Sequence, residues 1–299
     1  MVVSNRAKSV LDRLKNQSKQ TNLSFQASLQ LFAQEEFLRK LSLSDYNNKF
    51  ILKGGMFIYT LTNYESRPTK DVDFILRNSS NKLDDIERTI KNICAVKTGN
   101  DFILIKFMRI SQIGKQKEYP GARVSLLATI GKVRIPFSID IGINDIVVPE
   151  PTKSVITTRL KNFTSPEIYT YSLESTIAEK LDAILERMSA TSRMKDFFDI
   201  YYLSNTFDFD GKTLHIAIMS TTKHRNRTMP NDAFDDIRSF ASNPYLLKQW
   251  SNFDPAKETE LPFAIVIDEI CNFLEPVYSA AVNNTNFSKQ WSFEDNCWT

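Results

Sequence analysis

Histidine and cysteine are almost missing from this chain. His215 and His224 are the two imidazoles, and Cys94, Cys271 and Cys297 are scattered and odd in number. That excludes a disulfide framework and a zinc-type cluster, and leaves a histidine-based catalytic triad little to draw on. Chemistry, if present, must run on carboxylates. No apolar run approaches the roughly 18–20 residues of a membrane-spanning helix. The N-terminus, Met1-Val2-Val3-Ser4-Asn5-Arg6, lacks the apolar core of a secretory signal, so a cytoplasmic location is expected. Internal repeats and low-complexity tracts are absent too.

What is present is an ordinary globular composition, 42% hydrophobic and 24% charged over 299 residues, enough for two domains. The net charge of +3 hides an uneven spread. Lys106, Arg109, Lys115, Lys117, Arg123, Lys132 and Arg134 face Glu118 alone, whereas from Trp250 onward two lysines face eight acids. Such asymmetry suits a polyanionic substrate held by one lobe, and also suits plain solvated surface.

The most informative stretch is Leu52-Lys53-Gly54-Gly55-Met56-Phe57-Ile58-Tyr59-Thr60, followed by Arg67-Pro68-Thr69-Lys70-Asp71-Val72-Asp73-Phe74. A glycine pair opens an apolar helix, and a polar loop leads into a strand. Alternate strand residues point to one side, so Asp71 and Asp73 project together. Two such carboxylates repel unless a cation neutralises them, and Mg²⁺ takes one or two carboxylates plus phosphate oxygens. The glycines let backbone approach a phosphate, and N–H groups at a helix start favour anions. The pattern suggests a metal-dependent nucleotide site.

Residues 4–48 read as two helices, the second carrying Leu29, Phe32, Ala33, Glu36, Phe37 and Lys40 with Ser24 or Ser28 as cap, packed behind the site. Leu83, Ile86, Ile90 and Ile93 mark an amphipathic helix. Strands are expected over 101–110, 123–130 and 133–141, the last two joined by a hairpin at Gly131-Lys132. In the third, Asp140 sits alone in an apolar run. It completes a three-carboxylate cluster if its strand adjoins that of Asp73, and is otherwise an acid facing water. Pro149 and Pro151 mark a domain boundary. Beyond it, Ser172 caps a helix with a stripe of Leu173, Ile177, Leu181, Ile184 and Met188, leaving Lys180 and Arg187 off that stripe. Lys195 and Asp199 are spaced i,i+4 on a following helix, as a surface ion pair or, with Lys180 and Arg193, as a cationic wall for a triphosphate. Asp208-Phe209-Asp210-Gly211 reads as a turn with weak calcium character, and Lys223-His224-Arg225-Asn226-Arg227 as an exposed basic loop able to touch nucleic acid. Trp291 and Trp298 are expected to dock the acidic tail.

The set Gly54-Gly55, Arg67-Pro68-Thr69-Lys70-Asp71-Val72-Asp73, Asp140, Lys180 and Lys195-x-x-x-Asp199 resembles, in order and spacing over nearly the whole chain, the AbiEii/AbiGii toxin family. This is a branch of the polymerase-β-like nucleotidyltransferases, whose toxins act in bacterial toxin–antitoxin systems linked to abortive infection and phage defence. Nucleotidyltransferases commonly carry Gly-Ser at the first turn; here position 55 is glycine, so phosphate contacts fall to backbone N–H groups, Lys53 and Arg67. The resemblance implies an α+β fold, with a polymerase-β-like domain over 1–150 (helical arm 1–48, mixed catalytic sheet 50–148) and a mainly helical domain over 151–299. It further implies that Asp71, Asp73 and Asp140 bind Mg²⁺, or Mn²⁺ in its place. Lys180 and Asp199 join the catalytic set, while Gly54, Gly55, Lys53, Arg67, Thr69, Lys195 and Arg193 hold the nucleotide. The implied reaction moves a nucleoside monophosphate from an NTP, GTP or a pyrimidine nucleotide, to an RNA acceptor, with tRNA expected, and inhibits growth. The implied partner is an antitoxin acting mainly at the operon promoter, and a monomer without membrane association is expected. Two alternatives stand beside it. A small-molecule, antibiotic-modifying nucleotidyltransferase would need an acidic pocket, against which the basic run speaks, and a non-catalytic GTP- or RNA-binding module would hold a cation without releasing pyrophosphate.

Overall fold

A computed structural model describes residues 5–21, 23–114, 121–143 and 146–299. The chain divides into two compact units, one of residues 1–145 with 151–171, the other of residues 146–150 with 172–299.

The first unit opens with α1 (Asn5–Gln20) and α2 (Phe25–Ser42). Ser24 caps α2, its hydroxyl accepting the Ala27 N–H at 3.1 Å, while Ser28 is buried inside the helix. The apolar side of α2 (Leu29, Phe32, Phe37) is buried, but so is much of its polar side. Glu35, Glu36, Arg39 and Lys40 all lie out of water. Arg39 meets Glu35 and Glu36 at 3.0 Å each, and Asn100 donates to Glu36 at 2.8 Å. Burial pushes the Glu35 carboxyl up, against the opposing pull of Arg39.

After α2 come β1 (Phe50–Lys53), α3 (Gly54–Leu61), β2 (Val72–Leu76), α4 (Leu83–Ala95), β3 (Ile103–Ile113), β4 (Gly121–Ile130), β5 (Val133–Ile143), β6 (Thr152–Val155) and β7 (Glu167–Thr170). The seven strands form one mixed sheet in the order β3-β4-β5-β2-β1-β7-β6. β2 runs parallel to β5 and β1 parallel to β7; the other neighbours are antiparallel. β3 starts two residues later than the apolar pattern predicts, because Ile103 N–H still closes a turn onto Asn100 O at 3.1 Å. Ile130 pairs with Val133, so Gly131-Lys132 is a two-residue hairpin loop, with Gly131 at φ +59°. Residues beyond the expected boundary at 150 supply β6 and β7 to this sheet.

Strand alternation sorts the faces of β3, β4 and β5. Ile103, Ile105, Val124, Leu126, Ala128, Ile135, Phe137 and Ile139 are buried on the side packed by α2 and α4. Lys106, Arg109, Arg123 and Arg134 belong to the exposed side. Arg109 reaches that side only because of a β-bulge between Phe107 and Arg109, which lets Arg109 pair with Ser125 after Phe107 pairs with Leu126. Lys115, Lys117 and Glu118 of the basic run lie outside the described residues.

The second unit contains α5 (Leu173–Arg187), α6 (Met194–Ser204), β8 (Phe209–Asp210), α7 (Gly211–His224), α8 (Ala233–Ser239), α9 (Pro244–Ser251), α10 (Asp254–Thr259), α11 (Phe263–Val282), β9 (Gln290–Ser292) and β10 (Cys297–Trp298). Ser172 caps α5 by accepting the Ser175 N–H at 3.1 Å, and the helix ends at Arg187, before Met188. The chain's end is docked by tryptophan: Trp291 Nε1 donates to Ser204 O at 2.8 Å, and Trp298 donates to Phe273 O at 2.9 Å while stacking on its ring. Phe209-Asp210 is a strand rather than a turn. Asp210 caps α7 by accepting Thr213 N–H at 2.7 Å and also accepts from Gln290 at 2.6 Å, so this acid is spent on structure. The basic cluster is equally committed: Arg225 pairs with Glu179 and Asp182, and Arg227 with Asp182 and Glu186, all acids of α5, which removes both arginines from the expected exposed loop.

Candidate active site

β1 ends at Lys53, and the chain turns directly into α3 through Gly54 at φ +68°, a left-handed backbone that L side chains rarely adopt. A Cβ on Gly54 would lie 2.5 Å from Asp73 Oδ2, and one on Gly55 would lie 2.9 Å from Thr69 Oγ1 and 3.5 Å from Arg67 Nη2. The start of α3, with its unpaired helical N–H groups, is thus ringed by Asp73, Thr69 and Arg67. Position 55 has no room for a serine while Thr69 keeps its place.

The loop before β2 is held from behind by α2. Gln30 and Gln34 each donate a side-chain N–H to the Lys70 carbonyl, at 2.9 and 2.8 Å, so the helical arm does pack behind the motif. The Asp71 N–H donates to Thr69 Oγ1 at 3.3 Å, and Asp71 itself is exposed.

Register aligns the charges across the sheet. Arg123 on β4 pairs with Asp140 on β5, Asp140 with Asp73 on β2, and Asp73 with Lys53 on β1. Directly paired residues share a face, so four adjacent strands carry, in a row, cation, carboxylate, carboxylate, cation. Lys53 Nζ also lies 5.4 Å from the centroid of the Tyr171 ring. Asp140 is therefore next to Asp73, as its place in β5 suggests. Its two oxygens, however, accept from Arg123 Nε and Nη2 at 2.7 and 2.6 Å. The Asp140 carboxylate holds the Arg123 guanidinium strongly in its charged form, with smaller pulls from Asp71 and Asp73. Among the described residues, no group of three or more His, Cys, Asp or Glu side chains stands ready to hold a metal. In donor chemistry Asp71 and Asp73 fit a hard divalent cation, while Asp140 is taken by Arg123.

In the second unit, Lys180 on α5 is not off the buried stripe but 8% exposed. Its Nζ lies 2.5 Å from Asp199 Oδ2 and 3.3 Å from Asp196 Oδ1. Arg193 Nε meets the other oxygen of Asp196 at 2.5 Å. Asp196 and Asp199 are each 2% exposed. Asp199 thus faces inward to Lys180 rather than forming a surface pair, and Lys195 is half-buried beside this network. Burial pushes Asp196 upward, but Lys180, then Arg193 and Lys195, more than offset it and hold the carboxyl below its ordinary value. Sequence spacing missed Arg123 as a partner of the carboxylates and Asp196 as a partner of Lys180. The cross-strand position of Arg123 was its one available signal.

Comparison with known proteins defines the class. The sequence model described as "Nucleotidyl transferase AbiEii toxin, Type IV TA system" matches residues 36–271, a span that includes every candidate residue above. The protein is a nucleotidyltransferase. It belongs to the AbiEii toxin family, whose toxin–antitoxin setting implies a cognate antitoxin and a nucleotide substrate. No curated protein matches. Two solved structures are similar to it. One, a candidate nucleotidyltransferase from H. pylori, is 16% identical with a TM-score of 0.47 over 88% of this chain and 98% of that one. The other, JHP933 from Helicobacter pylori, is 17% identical with a TM-score of 0.46 over 95% of this chain and 99% of that one. The α+β fold with a mixed sheet is the one expected, and among the described residues no helix is long and apolar enough to cross a membrane.

Proposed function

We propose that this protein transfers a nucleoside monophosphate from an NTP to an RNA acceptor, with tRNA the expected one, in a Mg²⁺-dependent reaction that halts growth. One observation carries the acceptor assignment. The Asp73–Asp140 pair lies at one end of the exposed side of β3–β5, and that same side presents Lys106, Arg109, Arg123 and Arg134. A polyanion laid along those strands meets fixed cations and ends at the carboxylates. A cationic small molecule would meet repulsion there, which disfavours the antibiotic-modifying alternative.

In this reading Asp71 and Asp73 hold the divalent ion. Bound there, the ion screens the phosphate charge and polarises the transferred phosphoryl group. The N–H groups of Gly54 and Gly55 face the phosphates, with Lys53, Arg67 and Thr69 around them. Lys180, Arg193, Lys195 and Asp199 take the nucleotide- and leaving-group-positioning roles that membership of the family suggests. The cognate antitoxin acts mainly at the operon promoter, and the chain works as a cytoplasmic monomer.

The test is incubation with Mg²⁺, each labelled NTP in turn and total tRNA, beside the Asp73→Asn protein. Label should pass to RNA with the wild type and not with the variant. Absence of transfer with all four NTPs, together with growth inhibition unchanged by Asp71→Ala, would sink the proposal.

A further inference from the structure

We infer that the guanidinium of Arg123 is the second cation of the active site, so that Asp140 is reserved for an arginine and a single divalent ion is held by Asp71 and Asp73. The inference rests on the nucleotidyltransferase reading and specifies how many metal ions the site takes.

Three observations carry it. The first is geometry: both Asp140 oxygens are engaged, at 2.7 and 2.6 Å, by two N–H groups of the same guanidinium, the two-pronged arrangement in which arginine binds a carboxylate most strongly. The second is placement. Arg123 and Asp140 are direct cross-strand partners, and Asp140 and Asp73 are direct partners on the next strand, so the backbone register brings this cation to the carboxylates. The third is that Asp71, Asp73 and Asp140 do not converge as a metal-holding group, although the strands that carry them are adjacent.

Electrostatics then decides between a metal ion and the arginine at Asp140. Arginine cannot yield by losing its proton. A second divalent ion would have to break a paired contact and sit beside a permanent positive charge. Arg123 has five N–H donors in a rigid fork, of which Nε–H and one on Nη2 go to Asp140. Its side chain is half-exposed, so a phosphate can be met by the remaining donors without breaking the Asp140 pair. Arg123 thus supplies positive charge next to the Asp71–Asp73 ion without the loss of any protein ligand.

The experiment counts ions on the full chain by electron paramagnetic resonance titration with Mn²⁺, alone and with a non-hydrolysable GTP analogue. The wild type is expected to bind one Mn²⁺ per chain, Arg123→Gln two, with the spin–spin broadening of neighbouring ions, and the double variant Arg123→Gln/Asp140→Asn one again. Two ions on the wild type overturn the inference whatever the variants do, and so does an Arg123→Gln protein, folded by circular dichroism, that still binds one. A wild type that binds no Mn²⁺ in either condition overturns both the inference and the metal-dependent transfer reading. A count of two that Asp73→Asn abolishes overturns the inference alone.

Discussion

Replacing Lys180 by methionine removes the cation that lies 2.5 Å from Asp199 and 3.3 Å from Asp196, and the cost follows from burial. Lys180 is 8% exposed and Asp199 2%, so solvent screens little of the pair. Breaking a buried ion pair from one side leaves an uncompensated charge and costs about 3–5 kcal/mol. Asp196 keeps Arg193, which places most of the loss on Asp199. All three tryptophans, Trp250, Trp291 and Trp298, lie in the second unit, so intrinsic fluorescence reports the unfolding of that unit alone. With a urea slope of about 2 kcal/mol per M, the midpoint should fall by roughly 1.5–2.5 M. A second change, Lys180→Met/Asp199→Leu, removes both charges and should return the midpoint to within about 0.5 M of wild type. A fall below about 0.5 M for the single variant, or a double variant no better than the single one, would refute the reasoning. The double variant also separates fold from function: a restored midpoint without nucleotide transfer places the Lys180–Asp199 pair in the chemistry as well as in the core.

Gly54→Ala should destabilise the first unit by about 1–2 kcal/mol from its left-handed backbone alone, and should abolish transfer, because the added methyl forces Asp73 aside; thermal melting and the labelled-NTP assay check the two effects. Arg39→Met takes from Glu35 and Glu36 the guanidinium they share, leaving Glu35 only the weaker pull of Arg159, so hydrogen exchange in α2 should accelerate as if about 3–5 kcal/mol were lost. Asp196 has a folded pKa below the ordinary value near 3.9, so its stabilisation is complete above that pH and disappears as pH falls through the depressed folded value. The tryptophan-reported stability of the second unit should therefore hold down to about pH 5 and drop below about 4, and a decline beginning near neutral pH would contradict this. Arg134→Ala should weaken RNA binding and reduce its salt dependence by roughly one ion's worth, leaving GTP binding unchanged.

The sequence revealed what depends on short spacing. The Gly54–Gly55 turn into a helix, the hairpin at Gly131 and the Ser172 cap are all set by residues within a few positions of each other. Asp140 was legible because an acid in an apolar strand is costly without a reason. The remainder depended on contacts between distant segments. In α2 the spacing puts Glu36 and Lys40 with the apolar residues, but it does not show that Glu35, Glu36 and Arg39 satisfy one another inside. Lys180 was placed off the buried stripe by spacing alone, because its partners Asp196 and Asp199 lie on the following helix. Arg123 looked like one member of a basic run, and only the pairing of β4 with β5 makes it the partner of Asp140. The strands β6 and β7 were concealed by Pro149 and Pro151, which punctuate the chain without ending the sheet.

The bulge at Met108 matters beyond β3. Facing in a strand is a matter of odd and even, so one extra residue exchanges the two classes for everything downstream. Lys106 and Arg109 are three apart and would point to opposite sides of a regular strand; the inserted residue makes them neighbours on one side. Deleting Met108 would leave Lys106 and Arg109 two apart and still on one side, whereas a substitution that drew Met108 into the ladder would keep every basic residue in the chain yet turn Arg109 towards α2 and α4 and break the line of positive charge. The electrostatic character of this surface is thus set by counting as much as by composition, and a variant with identical charge can lose it.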